Sequence, residues 1–483
     1  MMTTPFSRAA LLAAVALGCD ATSDVTTAAV DVHAEETAVV TDEVDPDSMD
    51  EGDVATIGDV ATTFVVPRPV GYTATFRQTL ANKAPASHDE GERIFFEETW
   101  GAEASSNFPP ADFLIGLWKG DPARWGVQFS RYGFLTDPND DLPIGLKRGS
   151  VDPSRAKDTC SACHTTRLPD GRLWAGMPAT QLDLDRFTVD VDDAWVAAGN
   201  PSNLTEPGQR ERLLSSQPGS LNVDGDGKTI NVFNDFPLYS GLHRMSHMNI
   251  LGTGLDLRTE VWLSVFGFVS PLPFPEAHAT LLVDYFGTLD EPEAPVPVDG
   301  ASVERGRVAF EKASCSSCHH DDIAENDVVT WREGDELLPG QDPDFDNGTI
   351  ATSGLFLKSA TGQLDTGGGL GPGLDKLLEF IVLNGLKVEN TEGYVASNLH
   401  ALWASAPYLH NGSVPTLEAL LTPPAERPKT FTRSVPMPDG DSPAAREVIV
   451  DTSAPGLDNG GHAFGTTLSA DEKVDLIAYL RSL

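Results

Sequence analysis

The sequence predicts a mainly α-helical protein, built as two helical units joined by long irregular connections. Three observations predict it. Apolar residues recur at helical spacing behind residues of the capping type, most clearly at the C-terminal end. Glycine (44) and proline (35) are abundant, so many turns and loops separate the helices. One short string, Cys-x-x-Cys-His, occurs twice, at 160–164 and 315–319, each downstream of a predicted helix. A length of 483 residues suits two or three domains.

Charge narrows the class of partner. Lysine and arginine total 33 against 72 acidic residues, a formal charge of −39. That argues against nucleic acid or an anionic lipid surface as the main partner, and reads equally well as a soluble or salt-adapted surface. No run approaches the ~20 apolar residues of a membrane span, which excludes a polytopic membrane protein.

Residues 1–18 read as an export signal. Arg8 supplies the positive start, Ala9 to Leu17 an apolar stretch too short to span a bilayer, and Gly18 precedes Cys19. The pattern resembles a bacterial lipoprotein signal in which Cys19 is lipidated, although Ala16 stands where such signals usually carry Leu. An ordinary secretory signal is the alternative. Both place the protein in the periplasm or cell envelope, the first with a lipid anchor. Residues 19–67 read as a disordered acidic tether, since 19–60 hold 13 Asp or Glu and no Lys or Arg.

The remaining four cysteines carry the chemistry. A Cys-x-x-Cys-His string should arise by chance about once in a thousand such chains, and here there are two. The reading is two covalently bound c-type haems, one on Cys160 and Cys163, one on Cys315 and Cys318. Zinc held by two Cys-x-x-Cys pairs is the alternative, but leaves His164 and His319 unexplained. A thioredoxin-like redox pair also fits the spacing, without the βαβ context it needs. With the thiols bonded to the porphyrin, His164 and His319 are placed to bind the irons.

The second haem domain, 297–483, begins with a helix from Val303 to about Lys312, capped by Ser302, with Val308 and Phe310 among its apolar positions. It closes with a helix behind the capping box Ser469/Glu472, carrying Val474, Leu476, Ile477, Leu480 and Leu483. A helix entering the motif and a helix closing the domain is the arrangement of a cytochrome c fold. The first domain, 68–290, repeats this plan with a large insertion. A capping box Ser87/Glu90 opens a helix to about Trp100, and Ala277 to about Leu289 closes the domain. The stretch Asp290 to Asp299 reads as the linker. Asp224 and Asp226 resemble a calcium loop in composition alone, so a turn competes with calcium there. The glycine-rich run from Asp365 reads as a loop.

The sixth position on each iron decides between electron transfer and reaction with peroxide or oxygen. Candidates outside the motifs are His88, His243, His247, His278, His320, His400, His410 and His462. His88 and His278 read as surface positions on helices, and His320 is tied to its neighbour. The segment His243, Met245, His247 and Met248 offers either a cap for the first haem or packing.

The segment from Trp403 through Tyr408, His410, Asn411, Gly412 and Ser413 to Leu417 resembles a signature of the bacterial diheme cytochrome c peroxidase superfamily. From about residue 85 onward the chain is similar to its rubber-oxygenase-like branch. Matching stretches are Asp141–Gly145, Thr159–Thr165, Thr422–Pro428, Asp451–Gly456 and Gly461–Thr466. The resemblance implies a first haem that meets substrate or oxidant and a second that relays electrons between two protein ligands. It implies His462 as distal ligand of the second haem and His410 as a motif histidine near the haems, structural or catalytic. Ser397 stands in the region where the family commonly has Arg, which leaves the reaction open.

The function expected is that of an extracytoplasmic diheme oxidoreductase. Its partners would be electron-donor or acceptor proteins, a small oxidant (peroxide or oxygen) and a further substrate. A non-enzymatic diheme electron carrier, with both irons six-coordinate, is the alternative.

Overall fold

The computed structural model describes residues 80–168, 171–222, 233–248, 254–269, 272–294, 298–320, 328–330, 380–387, 393–434 and 447–483. All belong to one compact unit. The export signal with Cys19, the tether, the Asp224/Asp226 stretch and the glycine-rich run from Asp365 lie outside these residues.

Helices dominate. In chain order they are α1 (Asp89–Glu97), α2 (Ala111–Gly120), α3 (Pro122–Trp125), α4 (Cys160–Cys163), α5 (Leu184–Ala197), α6 (Gln209–Ser215), α7 (Leu257–Val269), α8 (Glu276–Phe286), α9 (Gly300–Lys312), α10 (Leu417–Leu420) and α11 (Ala470–Leu480). Among the described residues the strands are short and form antiparallel two-stranded ladders. Two of these matter below: β1 (Leu146–Arg148) with β2 (Ala156–Asp158), and β3 (Thr165–Arg167) with β4 (Leu173–Ala175).

One packing unit occurs twice. Helix α1 crosses α8, and a Cβ at Gly91 would sit 2.7 Å from Tyr285 Cβ. Helix α9 crosses α11, and a Cβ at Gly306 would sit 2.7 Å from Tyr479 Cβ. Only glycine permits so close an approach of two helices. Four residues after each glycine a phenylalanine packs on that same tyrosine: Phe95 on Tyr285 and Phe310 on Tyr479, both with centroids 5.4 Å apart. One turn of helix separates glycine from phenylalanine in both cases, so both lie on the face that meets the closing helix.

The helix ends correct three expectations. The Ser469/Glu472 capping box forms as read. Ser302, however, does not cap α9. Asp299 accepts from Ser302 N at 2.9 Å and starts the helix at Gly300, which frees the Ser302 hydroxyl to donate to Asp475 on α11. Nor do Ser87 and Glu90 form a box. A 3-10 turn over Ala86–His88 already satisfies the amide of His88, and Glu90 instead accepts from Arg93 at 2.9 Å. Helix α1 then stops at Glu97, and Trp100 lies beyond it with φ +61°. Two expected core positions face solvent, Val308 (57% exposed) and Val474 (64%).

Among the described residues three large apolar cores stand out, beside a small one of Phe233, Val450 and Leu457. The first gathers Phe95, Phe96, Trp262 and Tyr285, the second Trp125, Phe129 and Phe187, the third Phe310, Leu417, Leu476 and Leu480. Residues 380–387 belong by sequence to the second half but join the first core. Phe380 stacks on Phe266 at 4.3 Å, and the Lys387 amide donates to Thr259 Oγ1 at 2.9 Å.

Candidate functional site

The first motif occupies a single helical turn, α4, set at the seam of two cores. Cys160 packs against the first core and Cys163 against the second. The turn is placed from below by the loop leading into β1. Gly145, at φ +84°, accepts from the Thr159 amide at 2.9 Å, and a Cβ there would sit 2.6 Å from Ala162 Cβ. Thr159 Oγ1 also donates to Phe96 O at 3.1 Å, which ties the motif to the end of α1. The stretch Asp141–Gly145 thus has a local reason for its glycine.

Burial pushes both Cys160 and Cys163 thiols up to about 12. A redox-active Cys-x-x-Cys works through a depressed thiol, so the raised thiols of the first motif argue against the thioredoxin-like alternative there. The four described motif cysteines are all free of disulfides. Among the described residues no three His, Cys, Asp or Glu side chains group as metal ligands.

His164 closes the turn through its amide on Cys160 O at 3.2 Å. Its Nδ1 lies 3.1 Å from Pro237 O, and since a carbonyl only accepts, Nδ1 carries the proton. Burial lowers the imidazole to about 4, so the ring is neutral with its Nε2 lone pair available. Tyr239 stacks on it at 3.9 Å and 13° between planes. Hydrogen bond and stack together fix the ring, as a metal-binding histidine requires.

The second motif repeats these bonds with more exposure. Cys315–Ser317 form a 3-10 turn behind Ser314 at φ +59°. The His319 amide donates to Cys315 O at 3.0 Å, and His319 Nδ1 lies 2.9 Å from Ser397 O. Ser397 therefore serves through its main chain, whatever side chain stands there. Burial lowers His319 as well.

His462 comes to this site from 143 residues further along the chain (462 − 319). It holds a left-handed φ of +54°, and its buried Nδ1 has no hydrogen-bond partner beyond its own residue. Burial lowers its pKa to about 4, with the proximity of His319 and Arg427 acting in the same direction. The structure thus brings His319 and His462 together.

His410 is half-buried, and desolvation lowers its imidazole to about 3. Its carbonyl accepts from Asp235 N at 2.9 Å. The residues after it brace a loop: Asn411 Nδ2 donates to Asp458 O at 3.0 Å and Gly456 O at 3.2 Å, and Ser413 Oγ to Asp458 O at 3.0 Å. That loop leads directly to His462.

The His243–Met248 segment starts one turn after Tyr239, and there His247 Nδ1 pairs with Ser246 Oγ at 3.0 Å. The contacts of His164 described above run to Pro237 and Tyr239. His278 is half-buried, 3.7 Å from Glu98 Oε2, and not a plain surface residue. His88 is also half-buried, with its Nδ1 out of solvent.

Sequence reasoning missed Pro237 and Tyr239, which carry no local signature. It also missed Arg427, whose guanidinium binds the carbonyl of His462. A buried charge cluster beside the first motif escaped it as well: Lys147 Nζ lies 2.8 Å from Asp137, 3.0 Å from Asp140 and 3.7 Å from Glu97.

Paired free thiols, two histidines oriented through Nδ1, and a nearby histidine whose Nδ1 has no hydrogen-bond partner among the described residues beyond its own fit covalently bound haem. A RoxA-like, cytochrome c-like family matches residues 393–432, the stretch that holds Ser397, His410 and Arg427. A cytochrome c-like domain implies covalently bound haem. Two relatives are uncharacterized proteins of Sinorhizobium fredii (strain NBRC 101917 / NGR234). Protein y4iJ is 43% identical over 105 residues, 19% of this chain and 18% of the relative. Protein y4iM is 31% identical over 179 residues, 33% of this chain and 38% of the relative. The chain thus spans well under half the length of the curated relatives it matches. Among solved structures, hydrazine synthase of Kuenenia stuttgartiensis aligns over 89% of this chain and 100% of its own, at 12% identity and a TM-score of 0.29.

Proposed function

We propose that the chain is an extracytoplasmic diheme c-type cytochrome acting as a haem-dependent oxidoreductase. Cys160, Cys163 and His164 would hold the first haem, Cys315, Cys318 and His319 the second. The observation that carries the reading is the repeated motif geometry: each motif histidine donates Nδ1–H to a main-chain carbonyl and keeps Nε2 for iron. Bound haem supplies one-electron redox chemistry and, where a coordination position stays open, a place for peroxide or oxygen.

The two halves, 68–290 and 297–483, would divide the work. His462 lies near His319, which supports a six-coordinate relay site in the second half. In the first half the ring of His164 is clamped by Pro237 and Tyr239, which supports a rigid single-ligand site. His410 would belong to the frame between them, since its neighbours brace the loop leading to His462. Redox partner proteins, a small oxidant, a lipid anchor at Cys19 and a place in the periplasm or cell envelope complete the proposal.

The test uses full-length protein from a host that attaches c-type haem. Pyridine-haemochrome analysis should give two haems per chain that survive denaturing electrophoresis. The EPR spectrum of the oxidised protein should show one high-spin and one low-spin iron. Two low-spin signals that resist cyanide and peroxide would leave an electron carrier in place of the enzyme.

A further inference from the structure

Arg427 is only 2% exposed, and its guanidinium is spent on main-chain carbonyls. Nη1 donates to Asn459 O and Gly461 O, both at 2.5 Å. Nη2 donates to His462 O at 2.9 Å and Leu420 O at 3.0 Å, and Nε to Thr422 O at 3.2 Å. Three of these five carbonyls lie in the short run 459–462. That run ends in a histidine with φ +54°, a conformation that a residue with a Cβ adopts only when its surroundings impose it. Nearby, Asn459 Nδ2 donates to Pro428 O at 2.9 Å, so the tie runs in both directions.

We propose that Arg427 is the positioning residue of the second site. By gathering the carbonyls of residues 459, 461 and 462 it holds His462 in its left-handed conformation opposite His319. The inference deepens the reading of His462 as the second iron's ligand and rests on it. A planar fork with five donors suits the task, because the carbonyls approach from several directions. A lysine at this place keeps the charge but offers a single ammonium that cannot span them.

The experiment compares full-length, haem-loaded wild type, Arg427→Lys, Arg427→Gln and His462→Ala. Arg427→Lys should keep two haems per chain. It should convert part of the second haem's low-spin EPR signal to high spin, and added imidazole should restore it. Capture of imidazole by that iron should be roughly tenfold faster than in wild type, the scale expected for losing one or two charge-assisted hydrogen bonds. An unchanged low-spin signal with imidazole capture at the wild-type rate would overturn the proposal. Loss of the second haem, or of the fold, in both Arg427 variants would also overturn it, by assigning Arg427 to folding alone. His462→Ala separates the two claims. If it leaves the spin state unchanged, the ligand reading fails. If it abolishes the low-spin signal while Arg427→Lys does not disturb it, only the role of Arg427 fails.

Discussion

Replacing Lys147 by methionine should cost about 4 kcal/mol at pH 8. Lys147 sits on β1, 5% exposed, with its ammonium 2.8 Å from Asp137 and 3.0 Å from Asp140, and Glu97 at 3.7 Å. Burial opposes its charge, but Glu97, Asp140 and Asp137 together reverse that and hold the amine above its ordinary pKa. Methionine keeps most of the apolar stem and removes the charge. Two short charge-assisted bonds are lost, at about 1.5–3 kcal/mol each. Breaking a buried pair from one side costs about 3–5 kcal/mol, because the partners stay buried without compensation. The loss should depend on pH, and Glu97 gives the sign. Burial raises it to about 7, with Asp137 and Asp140 pushing the same way and Lys147 resisting. A carboxyl whose folded pKa exceeds its unfolded one stabilises the fold fully below the unfolded value. That contribution is lost as pH rises through the folded value. Without Lys147, which holds it down, Glu97 should rise further, so the variant should recover stability between pH 8 and pH 5.5. Guanidinium unfolding, followed by release of tryptophan fluorescence from haem quenching, measures both effects. A loss under 1 kcal/mol at pH 8, or a variant weaker at pH 5.5 than at pH 8, would refute the reasoning.

Two further substitutions probe what places the motifs. Gly145→Ala combines a left-handed φ of +84° with a Cβ about to meet Ala162, so α4 must shift. It should cost about 2–5 kcal/mol and lower haem occupancy at the first motif but not the second, read by haem staining of separated proteolytic fragments. Gly306→Ala should push α9 away from α11 at a cost of about 1–3 kcal/mol, seen as a lower unfolding midpoint of the haem-loaded protein. There the haem lost first should be the second.

Local features were legible in the sequence. The motif cysteines and histidines stand within five residues of one another, and the Ser469/Glu472 box within four. The cap of α9 shows where local rules run out. Asp299 and Ser302 are both good N-cap residues three positions apart, and only the presence of Asp475 across the helix pair settles which side chain does what. Ser87 failed for a similar reason, since the 3-10 turn already bonds the Asp89 amide to the Ala86 carbonyl. The partners of Lys147 and Arg427 are illegible in another way. An arginine that binds carbonyls leaves no trace at the residues it binds, because every residue has one. The stretch around Arg427 drew notice as a resemblance, and folding gave the residue its task.

The two motifs share their local frame and differ in what is packed around them. Both have the glycine-to-tyrosine helix crossing, a one-turn motif, and a histidine tied through Nδ1 to a carbonyl. These parts repeat although about sixty residues are inserted between α1 and the first motif and none between α9 and the second. Insertion there is tolerable because the helix crossing fixes α1 independently of the connection that follows it. The insertion brings Gly145, which lies against Ala162 of the first motif, and the Lys147 cluster on the strand that follows it. On the side of the second motif, the loop at 459–462 is gathered by Arg427. Under the proposed function, a frame behind His164 would leave its opposite face for a small reactant, whereas a frame behind His462 would close the face opposite His319. That division is what the proposed pairing of a reactive and a relay site needs from the polypeptide.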